Sequence, residues 1–69
     1  MTNNIEFKLH QKIKWSTIIN GKVTTLLGSV VDQGKNQSEF GFKAQGTCEV
    51  TGISYSEILL PWDKSIQKL

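Results

Sequence analysis

The stretch Ile13-Lys14-Trp15-Ser16-Thr17-Ile18-Ile19-Asn20-Gly21-Lys22-Val23-Thr24-Thr25-Leu26-Leu27-Gly28 decides the fold. Asn-Gly between runs of β-branched residues signals a hairpin, because both residues tolerate the positive φ of a type I′ turn. A two-residue loop fixes the register. Ile19 then faces Lys22, Thr17 faces Thr24, Trp15 faces Leu26 and Ile13 faces Gly28. Upstream, Phe7, Leu9, Ile13 and Trp15 alternate with Lys8, His10, Lys12 and Lys14, and Gln11 is the one polar member of the apolar set. Period two marks a strand with one buried face. Alternation and turn chemistry put Ile13, Trp15 and Leu26 on the same face, so two independent readings give one register.

Working outward, the second strand runs from Lys22 to Asp32 and is apolar on both faces, with Leu26 and Val30 on one and Val23, Leu27 and Val31 on the other. A strand of that kind is central or bends between sheets. Gly28 in its middle fits a bend, because glycine inside a strand often marks a barrel corner or bulge. Asp32 to Ser38 is a polar loop. Two further strands, Glu39 to Lys43 and Thr47 to Ile53, are expected around Ala44-Gln45-Gly46. A three-residue loop with Gly46 in the left-handed region pairs Phe42 with Cys48 and Phe40 with Val50. Ser54-Tyr55-Ser56-Glu57 reads as a capping box opening a single 3₁₀ or α turn before Pro61. Leu59 to Trp62 then makes a short last strand, with proline at an edge. Asp63 to Leu69 is a mixed tail that frays or adds one helical turn.

This succession is similar to the SH3-like small barrel. Leu9-His10-Gln11-Lys12-Ile13-Lys14-Trp15 resembles its opening strand, and Leu27-Gly28-Ser29-Val30-Val31 its bent second strand. Ser54-Tyr55-Ser56-Glu57-Ile58 sits where such barrels place a 3₁₀ turn. The resemblance implies an all-β fold: a single five-stranded SH3-like barrel with one short 3₁₀ turn before the last strand, formed by residues 7–62 of a one-domain chain with short tails. An OB-fold usually inserts a helix between its third and fourth strands, and no such helix fits here. The superfold hosts unrelated functions. The Ala-Leu-Tyr-Asp-Tyr segment of proline-peptide binders and the Val-Gln-Ile-Tyr signature of the plasmid-borne reductases are both missing, so no functional residue is carried over.

Composition narrows the functional classes. A 69-residue chain makes one domain. It buries only roughly 60% of its unfolded surface and leaves no interdomain cleft for a small-molecule site. A 38% apolar share with 20% charged residues suits a small globular core. No apolar run approaches the roughly 20 residues of a membrane span, and Met1-Thr2-Asn3-Asn4 lacks the features of a secretory signal. One cysteine, Cys48, and one histidine, His10, leave neither an internal disulfide nor the usual zinc clusters, and no metal or cofactor is expected. A reducing, cytoplasmic setting fits.

Charge supplies the leading functional expectation. Eight lysines, no arginine and six acids give a net charge of +2. Lys8, His10, Lys12 and Lys14 on one strand face would repeat every 6.5–7 Å or so, close to the phosphate spacing of a nucleic-acid strand. Tyr55 and Trp62, flanking the expected turn and edge, would add stacking groups. The bland reading is a solvated face whose lysines discourage edge pairing. The expected function is therefore a small non-catalytic binding module contacting nucleic acid through Lys8, His10, Lys12, Lys14, Tyr55 and Trp62. The alternative is a protein–protein interaction module, a small regulator, inhibitor or assembly subunit, docking by an edge strand or by Val23, Leu27 and Ile53. A homo-oligomer is compatible with either reading. Cys48 on the core face reads as a small apolar residue, and Glu57 as a cap rather than a catalytic acid.

Overall fold

The computed structural model describes residues 6–69. The part of the expected N-terminal tail at residues 1–5 lies outside them. The described chain is all-β apart from one helical turn. Its elements are β1 (Lys12–Ile19), β2 (Lys22–Asp32), α1 (Gln37–Phe40), β3 (Phe42–Cys48), β4 (Ser54–Leu59) and β5 (Gln67–Lys68). The strands form one antiparallel sheet in the order β4-β3-β2-β1-β5. Among the described residues no hydrogen-bonded ladder joins β4 to β5, so hydrogen bonds do not close the sheet there.

The β1–β2 hairpin has the register its turn dictates, with Ile19 opposite Lys22, Thr17 opposite Thr24, Trp15 opposite Leu26 and Ile13 opposite Gly28. Asn20 and Gly21 both hold positive φ, 53° and 78°, as a type I′ turn requires. β2 has the expected bounds and is central, with a bulge between Val30 and Asp32. Only one of its faces is buried. Leu26 and Val30 are sealed in the core, whereas Val23, Leu27 and Val31 face solvent.

The opening strand is shorter than its alternation predicts. β1 begins at Lys12, and Leu9 and His10 form a turn. The His10 N–H donates to the Val30 carbonyl and the Val30 N–H to the Gln11 carbonyl, so two residues oppose one. His10 is at φ 71°. That is a bulge led by a left-handed residue, and it breaks the period of two. Leu9 is left 46% exposed. Phe7 still reaches the core and stacks on Phe42 at 4.6 Å between ring centroids. Gln37 grips its backbone, accepting the Phe7 N–H at 2.9 Å and donating to the Phe7 carbonyl at 3.0 Å.

The second half of the chain corrects three expectations. Glu39 and Phe40 belong to α1, and β3 runs unbroken through Ala44-Gln45-Gly46. Phe42, Ala44, Gly46 and Cys48 are its buried positions. Gly46 is a close-approach glycine, since a Cβ there would lie 2.6 Å from Cη2 of Trp15. The turn comes later, at Glu49–Gly52, where Gly52 has φ 76°. Cys48 thus faces Leu26 across the β2 ladder instead of Phe42, and Phe40 and Val50 stand exposed. Ser54–Glu57 is no capping box and no 3₁₀ turn, because these residues open β4. Pro61 and Trp62 lie in a turn closed by the Asp63 N–H on the Leu60 carbonyl. The last strand, β5, comes from the stretch expected to be a tail, and it pairs with β1 at Ile13 and Lys14.

Phe7, Ile13, Trp15, Leu26, Val30, Phe42, Ala44, Cys48 and Leu59 form the core on the concave face. The sheet is strongly curled. In a flat sheet β1 and β4 would lie about 14 Å apart. The ladders also set Trp15 level with Ile53, four residues from Glu57, adding about 13 Å along the strand. Yet the Trp15 indole N–H donates to the Glu57 carboxylate at 2.8 Å. Only coiling of the strands brings these side chains together.

Candidate interaction edge

The expected basic row is not one row. Lys12 and Lys14 stand on the convex face of β1, while Lys8 and His10 precede the strand on the turn and bulge. The even 6.5–7 Å or so repeat that would track phosphates is lost with the strand. Lys14 lies 4.0 Å from the Glu49 carboxylate, an exposed pair that contributes little. Tyr55 is half-buried and packs against the core from the concave side. Trp62 is exposed in the turn after β4. The structure therefore unites Lys12 with Lys14 and distributes Lys8, His10, Tyr55 and Trp62 over other elements.

Around those lysines the convex face mixes serine, threonine and glutamine with exposed Leu27, and farther along β1 and β2 with exposed Ile18 and Val23. Register places Ser16 and Thr25, Lys14 with Leu27 and Thr47, and Lys12 with Ser29, Gln45 and Ser56 in successive cross-strand rows. A shallow hollow of about 380 Å³, lined by Lys12, Leu27, Gly28, Ser29 and Leu69, opens on this face. It lacks the enclosure that small-molecule sites use. Among the described residues, no three His, Cys, Asp or Glu side chains are grouped to hold a metal ion, and no helix is long and apolar enough to cross a membrane. Hydrogen bonds from the Thr51 hydroxyl, then from the Thr51 and Val50 amides, hold the Cys48 thiol below its ordinary value against burial and the Glu49 charge. The residue is buried under its own turn.

The sheet edges are unequal. β5 offers two residues, whereas β4 presents six with no strand neighbour on its outer side among the described residues. The phase of the ladder shows which backbone groups are free. The Cys48 N–H donates to the Ile53 carbonyl, so even-numbered residues of β3 and odd-numbered residues of β4 exchange bonds. The N–H and C=O groups of Ser54, Ser56 and Ile58 therefore point away from the sheet. Their side chains share the convex face and are exposed. Natural edges are usually guarded by lysine, proline or a bulge. β4, Ser-Tyr-Ser-Glu-Ile-Leu, has neither lysine nor proline, and its pairing with β3 is regular. Its one charge, Glu57, points to the concave side and accepts the Trp15 indole N–H. Ile53, Ile58 and Leu60 are exposed apolar residues in and beside this edge.

The sequence pattern points to an edge strand at Leu59–Trp62, whereas the open edge of the fold is β4 at Ser54–Leu59. The signal that finds β4 is the run Tyr55-x-Glu57-x-Leu59 at period two, with a glutamate occupying one inward position. No protein-family model, curated protein or solved structure matches this chain.

Proposed function

We propose that the chain is a non-catalytic interaction module of SH3-like small-barrel architecture that docks a protein partner along the open edge of β4. The barrel reading is supported by the β5-β1-β2-β3-β4 neighbour order, the bulged central strand and the Trp15–Glu57 contact across the concave face. The docking reading is carried by one observation, the regular six-residue edge whose three outward amides and three outward carbonyls have no strand partner among the described residues. Strand addition uses such groups for affinity and the flanking side chains for specificity. Ile53, Ile58 and Leu60 supply apolar contact at its two ends. The nucleic-acid reading retains Lys12 and Lys14 but loses the continuous row that favoured it.

A photo-crosslinking residue at Ser54, combined with an oligonucleotide titration at low salt, tests this function. Crosslinks to protein that vanish in the Ser56→Pro variant support docking at β4. Amide shifts confined to Lys12 and Lys14 that fade with salt, without such crosslinks, return the function to nucleic-acid binding.

A further inference from the structure

We infer that the partner seated on β4 is a second copy of this chain, joined about a two-fold axis that passes through Ser56. The inference rests on the docking reading above and names its occupant.

Two antiparallel copies of β4 that keep convex face with convex face must place a residue opposite its own counterpart, because facing residues share a side of the sheet. Of the possible centres, one uses every free backbone group. With Ser56 opposite the second copy's Ser56, Ser54 faces the second copy's Ile58 and the reverse. Each of these facing pairs exchanges two N–H to C=O bonds, so all the outward groups of Ser54, Ser56 and Ile58 are satisfied in both chains. Centring on Tyr55 leaves Ile58 unpaired. Centring on Ile58 leaves Ser54 unpaired, and it calls on Leu60, whose carbonyl already accepts from Asp63. Centring on Glu57 leaves Ser54 unpaired and sets two carboxylates face to face.

Charge selects the same register. With Ser56 on the axis, Glu57 lies opposite the second copy's Tyr55, so the strand's one acid never meets itself. Like charges directly opposite are destabilising in a sheet, and this arrangement contains none. Farther along the seam, Ile53 falls opposite the second copy's Leu59, so the half-exposed Ile53 gains an apolar neighbour at both ends. The contact is isologous and closes at two subunits. It joins the two five-stranded sheets into one of ten.

Because Ser56 faces itself, the register has a specific test. Sedimentation equilibrium is run on the full chain, on Ser56→Lys, on Ser56→Glu, and on their equimolar mixture. The wild type is expected to dimerise. Each charged variant alone should dimerise roughly fivefold more weakly, as like charges come face to face. The mixture should recover wild-type affinity or better as a lysine–glutamate heterodimer. Backbone amide exchange on the wild type avoids dependence on any variant's folding. Protection of the Ser54, Ser56 and Ile58 amides should rise with protein concentration, while that of Tyr55 and Glu57, already bonded to β3, should not. A wild type that stays monomeric at millimolar concentration overturns the proposal, as does a mixture that associates no better than its components. If the wild type is monomeric while position 54 still crosslinks to another protein, the second copy is rejected and the docking edge stands. If crosslinks are also missing, both fall.

Discussion

Replacing Gly46 by alanine tests whether β3 runs straight beneath the Trp15 ring. The added Cβ would stand 2.6 Å from Cη2 and 3.1 Å from Cζ3 of Trp15, and 3.2 Å from Cβ of Leu26. The ring is fully buried and cannot swing into solvent. Overpacking of this kind costs about 1–3 kcal/mol. Alanine also restricts the unfolded chain, which returns about 0.4–1 kcal/mol. The net expectation is a loss of about 0.5–2 kcal/mol. A 69-residue domain has roughly 3–10 kcal/mol to lose. Urea unfolding followed by far-UV circular dichroism resolves such a change, since a slope of about 1 kcal/mol/M shifts the midpoint by about 0.5–2 M. The decisive comparison is the double-mutant cycle with Trp15→Phe. Cη2 and Cζ3 belong to the six-membered ring of the indole, which phenylalanine lacks in that position, so the new methyl has room. Gly46→Ala should become neutral or mildly stabilising there, a coupling on the order of 1–2 kcal/mol. Equal costs in both backgrounds, within about 0.3 kcal/mol, would refute the close-approach account and return Gly46 to a purely backbone role.

Gly28→Ala should be more damaging than Gly46→Ala, because its Cβ would run into the backbone carbonyl of Gln45 on the paired strand, and backbone yields less than a side chain. A loss of about 3 kcal/mol or more is expected by the same denaturation assay, and a variant as stable as Gly46→Ala would contradict the geometry. Glu57→Leu should cost about 1–3 kcal/mol by stranding the buried Trp15 indole N–H, whereas Glu57→Gln, which keeps an acceptor oxygen, should recover most of it. Equal losses for both substitutions, read as urea midpoints, would show that the carboxylate's charge and not its oxygen matters.

The parts of the fold legible in the sequence are those where one local signal had a single physical meaning. Asn20-Gly21 needs two positive φ values, and with Trp15, Ile13 and Leu26 alternating on one side no other register buries the same set. Gly46 carried two meanings. A glycine after Ala44-Gln45 suits a left-handed loop position as well as it suits a strand lying under an aromatic ring, and the choice depends on Trp15, 31 positions away. Phe42, Ala44, Gly46 and Cys48 do alternate at period two, but two small members weaken the apolar pattern. The bulge at His10 was hidden for a related reason. The left-handed conformation of that histidine is held by bonds to Val30, a partner local spacing does not reveal. Much of the basic row disappeared with it.

β4 escaped recognition through Glu57, and the same residue explains why its edge is open. A glutamate at an inward position interrupts the apolar alternation of Tyr55 and Leu59, and with Ser54 three residues earlier it imitates a capping box. In the folded chain the carboxylate is drawn to the concave side by the Trp15 indole N–H. Turning inward takes the strand's only charge off the convex face, where Ser54, Ser56 and Ile58 remain. A charge on that face would have repelled an incoming strand, which is how edges are commonly protected. Swapping the positions of Ser56 and Glu57 would therefore do two things at once. It would deprive Trp15 of its acceptor, and it would place a like charge on the axis of a seam centred at position 56. The polarity of these two neighbouring residues serves the core and the edge together, so the local pattern that reads as a helix cap is better explained as one strand with different demands on its two faces.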